Sequence, residues 1–308
     1  MKSKLMMMAA IAAVSMMIVS CSSDNENIVE DVKPGKAHVR LVCGMGVSVS
    51  PMTRAALTAN GKALTDLYIL DYDKATGKLL QVLHQTSTAA DFAEPDLTLD
   101  YGEHVLKVVA TRSQEPTLWD AGNNKWTVEP NIITPVTATQ PVMLTSTKTS
   151  DTFGAEKEVS VGIGTGTTVS IVLDRLVAKL VVNSTDMFPD DCTTITTDFQ
   201  EHRTLSWTTM DVTEAVNNQR VVDVTNLRGT TGTVLSYFVL APKDGYQTDI
   251  TLTTNRTDGN PYSTITVPDV PLERNKVTMI SGPIYGHGQG IQVTANDTWD
   301  SEGHDINI

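Results

Sequence analysis

Apolar and polar residues alternate with a period of two through much of this chain. The longest such run, TTVSIVLDRLVAKLVV from Thr167 to Val182, lies near its middle. Val169, Ile171 and Leu173 alternate with Thr168, Ser170 and Val172, as the two faces of a strand require. Asp174 and Arg175 interrupt the pattern, and Leu176, Ala178, Leu180 and Val182 resume it. Strands usually run about 3–10 residues, so the run reads as two strands meeting at a charged corner near Leu173–Arg175. One ends a first β-domain and the other begins a second. A single long strand in one sandwich is the alternative.

The same alternation recurs on both sides of that corner. Ala37, Val39, Leu41, Cys43, Met45, Val47 and Val49 occupy seven successive odd positions, which predicts a long amphipathic strand. Pro51 has no N–H to donate and stops the ladder, which puts Arg54 in a loop. Residues 65–73 and 78–84 read as a hairpin around Lys74–Gly77, and 95–111 as two strands joined at Tyr101–Glu103. Residues 112–158 are polar and irregular, with Trp119, Trp126 and Met143 as plugs into the core, and 158–162 as a short strand. Further strands are expected at 204–210, 220–225, 233–240, 248–254, 263–267 and 276–281. Their separation approaches the roughly 8–12-residue spacing of a sandwich. Residues 211–217 read as one helical turn, and Ile291, Val293 and Ala295 as a last alternating strand before Trp299. No stretch sustains a helical period, so the chain is all-β, with two tandem antiparallel β-sandwich domains.

The first residues follow another rule. Lys2 and Lys4 precede a short apolar stretch, Leu5 to Val19, which is too short to span a membrane. It ends in Ile18-Val19-Ser20-Cys21, which looks like a bacterial lipobox. Cleavage before Cys21 would allow acylation at its thiol and at the new amine, and several chains anchor where one does not. Polar, acidic residues follow. The expected organisation is therefore a signal peptide over 1–20, a flexible tether over 21–35, and sandwiches over 36–173 and 174–308.

Composition agrees with strands. Aromatic residues make up only 5% of the 308-residue chain, while Thr and Val are abundant. The formal net charge is −13. Loss of residues 1–20 removes Lys2 and Lys4 and no acid, leaving 21 basic against 36 acidic side chains, a net of −15. That excludes the basic footprint a nucleic-acid-binding protein needs. Besides Cys21 only Cys43 and Cys192 remain, without a CxxC pattern, and they read as two buried free thiols rather than a disulfide.

Several phrases, in order, resemble the fimbrillins, the pilus subunits and anchors of the Bacteroidetes. They are the lipobox, the amphipathic strand closed by Thr53-Arg54-Ala55, the strand Tyr68-Ile69-Leu70-Asp71-Tyr72-Asp73, and the turn Tyr101-Gly102-Glu103-His104. The run Asp174-Arg175-Leu176-Val177-Ala178-Lys179, the strand Arg274-Asn275-Lys276-Val277-Thr278 and a terminal strand ending in Trp299 complete them. The resemblance implies transthyretin-like sandwiches, delivery to the outer membrane as a surface-exposed lipoprotein, and assembly with other fimbrial subunits by strand exchange. It implies that a trypsin-like protease cuts between Arg54 and Ala55 and removes the first strand, whose place a neighbour's C-terminal segment fills. The segment around Ile291, Val293 and Ala295 has the alternation of such a donor, or completes its own domain.

Catalytic patterns are missing from the sequence. The six histidines show no HExxH spacing, no GxSxG occurs, and Gly162–Gly166 lacks the Lys-Ser/Thr that completes a phosphate loop. Asp71, Asp73 and Gly77 lack the further ligands of a calcium loop. No metal and no cofactor is expected, and the chain does not read as an enzyme. The leading reading is a stalk or tip subunit of a fimbrium. The alternatives are an uncut lipidated anchor and a lipoprotein that binds glycans or host or bacterial surface ligands, with Trp119, Trp126 or Trp207 as sugar platforms. If the lipobox is used, Cys21→Ala abolishes labelling of the expressed protein by radioactive palmitate, and equal labelling of the variant refutes it.

Overall fold

The computed structural model describes residues 35–45, 57–59, 62–111, 119–120, 125–126, 143–145, 151–164, 166–202, 204–212, 215–286 and 290–296. Cys21, the tether before residue 35, Val47, Val49, Arg54, Ala55 and Trp299 lie outside these residues, as do the side chains of Trp119, Trp126 and Met143. In chain order the strands are β1 (Lys36–Met45), β2 (Thr58–Ala59), β3 (Lys62–Ala63), β4 (Asp66–Asp73), β5 (Leu79–Thr86), β6 (Asp96–Asp100) and β7 (Gly102–Thr111). Next come β8 (Trp119–Asp120), β9 (Lys125–Trp126), β10 (Met143–Thr145), β11 (Thr152–Val161), β12 (Thr167–Arg175) and β13 (Val177–Ser184). The rest are β14 (Cys192–His202), β15 (Thr204–Ser206), β16 (Asp211–Val212), β17 (Ala215–Asp223), β18 (Gly232–Leu240), β19 (Tyr246–Arg256), β20 (Pro261–Leu272), β21 (Val277–Gly282) and β22 (Gln292–Asn296). One 3-10 turn, Thr225–Leu227, is the single helical element among the described residues.

Two large sheets carry the architecture, and each folds into a sandwich. The first has the order β5-β4-β7-β11-β12-β1-β6. Its strands β11 and β12 pair only at Phe153–Arg175 and Gly154–Asp174, so the sheet turns a corner there into two layers. Val39, Leu41, Ile171 and Leu173 of one layer meet Leu67, Leu106, Val108 and Phe153 of the other. The second sheet has the order β20-β19-β14-β18-β13-β21-β22, with β17 beside β14. Here β14 touches β18 only at His202–Leu240, and a second core forms around Leu180, Phe199, Val239, Leu252 and Ile280.

A third cluster joins the halves. Tyr68, Leu70 and Val109, on the outer face of the first sandwich, pack with Leu176, Val177, Leu205, Trp207, Met210 and Leu240. This explains why β4 is buried on both faces although its hairpin pattern predicts one wet side. Leu176 separates β12 from β13 at the expected corner. Its N–H donates to the Thr152 carbonyl (2.8 Å), and its own carbonyl accepts the Ala241 N–H (3.1 Å). Arg175 beside it is buried. It donates to Asp151 (2.9 Å) and to the Asn275 amide oxygen (2.7 Å), and stacks 4.7 Å from the Phe153 ring centre.

Other phrases of the sequence meet in space as well. His104, of the Tyr-Gly-Glu-His turn, bonds Asp71 (Nδ1 to Oδ1, 2.7 Å) and the Asp100 carbonyl (Nε2, 2.8 Å). The carbonyl only accepts, so Nε2 carries a hydrogen and Nδ1 shares a proton with Asp71. Burial raises the pKa of the Asp71 carboxyl, against the pull of His104. Asp73 accepts the Thr76 N–H (2.7 Å) and hydroxyl (2.5 Å) within the hairpin turn. Both aspartates that look calcium-like in sequence thus have protein partners.

Three expectations need correction. The helical turn expected over 211–217 is not found at the described residues of that range: Asp211–Val212 and Ala215 onward are extended, because β15 and β14 offer ladder partners. The strand expected at 158–162 begins at Thr152 and pairs with β7 along its whole length, the exposed Glu156–Glu158 having hidden its pattern. The central strand β14 lies in a Thr-rich stretch to which the pattern assigns no strand.

The junction yields a test. Arg175→Ala takes a buried cationic partner away from the Asp151 carboxylate, and denaturant melts should show a loss of about 3–5 kcal/mol. Removing both charges with Arg175→Met and Asp151→Leu should cost less than the single change. An Arg175→Ala variant as stable as the parent would mean that the pair does not hold the junction.

Candidate functional site

The first strand is the element whose removal the fimbrillin resemblance implies. Ala37, Val39, Leu41 and Cys43 point into the first core, the last three with no exposed surface. Met45 is half-buried against the same core. Burial of one Val or Leu side chain contributes about 1.5–3 kcal/mol, so this face binds the strand strongly. Its other face is wet. His38 and Arg40 are exposed, and the pairs Arg40–Glu94 (2.6 Å) and Lys36–Asp100 (2.9 Å) are surface contacts of small weight.

The backbone of β1 is engaged on both sides. It runs parallel to β12, with Val39 opposite Thr167 and Met45 opposite Leu173. On the other side it runs antiparallel to β6, with Lys36 opposite Asp100 and Arg40 opposite Asp96. Beyond β6 the ladder continues into a turn, where the Leu41 and Cys43 N–H groups donate to the Pro95 and Ala93 carbonyls, both at 2.9 Å. Ala93 takes a left-handed backbone (φ 71°) to present that carbonyl. Withdrawal of β1 would leave two unpaired strand edges facing each other across an apolar slot, a template for another strand.

Burial pushes the Cys43 thiol up to about 12, so it stays protonated and unreactive while β1 is seated. Burial also raises the Cys192 thiol, in the second core. Both cysteines are free, as expected.

The C-terminal strand β22 is placed differently. It pairs antiparallel with β21 of its own sandwich, Val293 opposite Ile280 and Ala295 opposite Thr278, at the sheet edge. Gln292, Val293, Thr294 and Ala295 are all exposed. Ile291 alone packs on the core, directly over Gly282, where an added Cβ would come within 2.9 Å of the Ile291 Cα. Trp207 has no exposed surface in the junction cluster and cannot serve as a sugar platform. Its apolar neighbours Leu205 and Met210 are the sequence signal for a core residue.

Comparison with known proteins supports this picture of the fold. A model of a family of unknown function, DUF6562, matches residues 130–308. No curated protein matches the chain significantly. Among solved structures, the fimbrial anchor protein Mfa2 of Porphyromonas gingivalis superposes with a TM-score of 0.52 at 11% identity, over 84% of this chain and 97% of its own. A candidate adhesin of Bacteroides thetaiotaomicron gives 0.51 at 13% identity, over 85% and 96%. A candidate polysaccharide-binding protein of that organism gives 0.51 at 9% identity, over 84% and 96%. At these identities the likeness is one of fold, two tandem β-sandwiches.

The two faces of β1 should respond differently to truncation. Leu41→Ala removes a fully buried side chain and should cost about 2–5 kcal/mol in urea melts. Val42→Ala, on the wetter face, should change stability by no more than about 0.5 kcal/mol. Equal effects would show that the inner face does not hold the strand.

Proposed function

The chain belongs to DUF6562, a family of unknown function, and from its fold and its first strand we propose that it is a cell-surface fimbrial subunit, stalk or tip. On this reading it is exported to the outer membrane as a lipoprotein acylated at Cys21. A trypsin-like protease cuts between Arg54 and Ala55, and subunits join by strand exchange. The observation that carries the proposal is the seating of β1. A strand with three fully buried apolar residues and two ladder partners keeps the uncut subunit inert, and its loss creates a groove of defined shape and direction. A replacement strand must run parallel to β12 and present small or branched apolar side chains at alternate positions.

The segment Ile291–Ala295 has that alternation, and its present seat at an exposed edge is held by backbone pairing and one side-chain anchor. An uncut anchor is the alternative for the same fold, and Mfa2 is a fimbrial anchor protein. The two readings part at Arg54.

Purified precursor, treated with trypsin at a low ratio, should be cut first after Arg54, release the 37–49 strand and form higher oligomers by size exclusion. Cys43 should become reactive to a thiol reagent in step with release, and Arg54→Ala should block all three changes. A folded chain that resists cutting at Arg54, or stays monomeric with β1 retained after the cut, refutes assembly and favours the anchor.

A further inference from the structure

A cleft of about 580 Å³ opens on the second sandwich, away from the first strand and its groove. It lies on the outer face of the layer β20-β19-β14-β17, whose inner face carries Ile195, Phe199, Ile250 and Leu252 into the core. The outer face is polar apart from Val221 of β17. Gln219, Asp198, Thr251 and Thr266 stand side by side, and Asn217 faces Gln200 in the next row. These groups are already ordered by one another: Gln200 donates to Asn217 (2.7 Å), Gln219 to Asp198 (3.3 Å), and Thr251 pairs with Thr266 (3.0 Å).

The cleft forms where the β19–β20 register breaks between Thr248 and Ile250, so that Asp249 lies opposite two residues, Pro268 and Asp269. A bulge of this kind re-aims side chains. Asp269 adopts φ 52° and its N–H donates to the Asp249 carboxylate at 3.1 Å. The cleft is thus lined by three carboxylates (Asp198, Asp249, Asp269), three amides (Gln200, Asn217, Gln247), the threonines Thr248 and Thr251, and Phe199. Lys and Arg are absent from the lining.

We propose that this cleft binds an uncharged saccharide. Its volume falls in the roughly 300–1,000 Å³ range of small-molecule sites, but its lining is polar where such sites are mostly apolar. The ligand must therefore be rich in hydroxyl groups. Carboxylates accept from them, and amides both donate and accept. The carboxylates, without a cation beside them, repel sulfated and uronic-acid sugars. The preordered side chains reduce the entropy lost on binding. Amides and hydroxyls outnumber carboxylates in the lining, which favours a neutral saccharide over a cationic peptide. The inference does not depend on cleavage or assembly.

The test is a printed array of neutral gluco-, galacto-, manno- and xylo-oligosaccharides beside uronic-acid and sulfated ones and a polylysine spot, probed with the full-length mature chain. Binding should be confined to neutral sugars and persist in EDTA. Asp249→Asn and Asn217→Ala should each weaken it about tenfold with unchanged melting temperatures, while Arg40→Ala on the other sandwich leaves it intact. Binding only to acidic sugars or polylysine, binding that EDTA abolishes, binding unchanged by both cleft variants, or no binding to neutral sugars each overturns the proposal.

Discussion

Arg175, buried beside Asp151 in the first sandwich and bonded to Asn275 in the second, is the residue on which the arrangement of the two sandwiches depends. Taking both charges out of water is costly, and the cost is recovered only where geometry is good and further bonds complete the set. Here the guanidinium reaches Asp151, the Asn275 amide and the Phe153 face at once. Asp151 and Phe153 belong to the first sandwich and Asn275 to the second. Shifting one half against the other would therefore break the guanidinium's bond to Asn275 in a dry place. An apolar contact alone tolerates sliding, whereas this one specifies a position. Leu176 adds backbone bonds in both directions from the next residue.

The same corner shapes each sandwich internally. Phe153 and Gly154 are the only residues of β11 that pair with β12. Packing is tight at Gly154, where a Cβ would come within 2.8 Å of the Leu176 side-chain end and 3.0 Å of the Met210 methyl, so both side chains would have to give way. The junction cluster thus presses against the point where the first sandwich turns from one layer to the other. β12, fixed at this end by Arg175, is in turn the parallel partner of β1. The groove proposed for strand exchange has one wall held by the inter-sandwich junction, which keeps its shape independent of whichever strand fills it.

Period-two patterning was sufficient where one face is core and the other wet. β1 and β12, and the corner between β12 and β13, were legible for that reason, and the buried residues Val39, Leu41, Ile171 and Leu173 follow the alternation. It failed where both faces are covered or both are polar. β14 reads CTTITTDFQEH, with Thr, Asp and Gln on its outer face and the buried Thr197 and Glu201 on its inner one, so only Cys192, Ile195 and Phe199 mark the core. Glu201 is buried because Arg220 of β17 pairs with it, a compensation 19 residues away that no local window contains. The Asp-Arg and Arg-Asn phrases were visible as phrases, but their meeting at Arg175 and Asn275 depends on topology. The outer-face cleft was invisible for the same reason, since its residues come from four strands and a register break.

The contrast between β1 and β22 bears on how exchange would be controlled. Local opening is easiest for segments with few buried apolar contacts, and β22 meets that description with one anchored side chain. β1 does not: it lies inside its sheet, and leaving requires two ladders to break together while Val39, Leu41 and Cys43 meet water. Thermal fluctuation would thus free the proposed donor long before it freed the proposed acceptor site. Donors alone cannot polymerise, because every groove is occupied by a strand tethered to its own chain at an effectively high local concentration. Cutting the tether changes that balance without altering any contact in the sandwich. The strand keeps its affinity but loses its concentration advantage, and a free end competes on equal terms. On the proposed reading, a covalent event after β1, rather than a weakened strand, would be the switch.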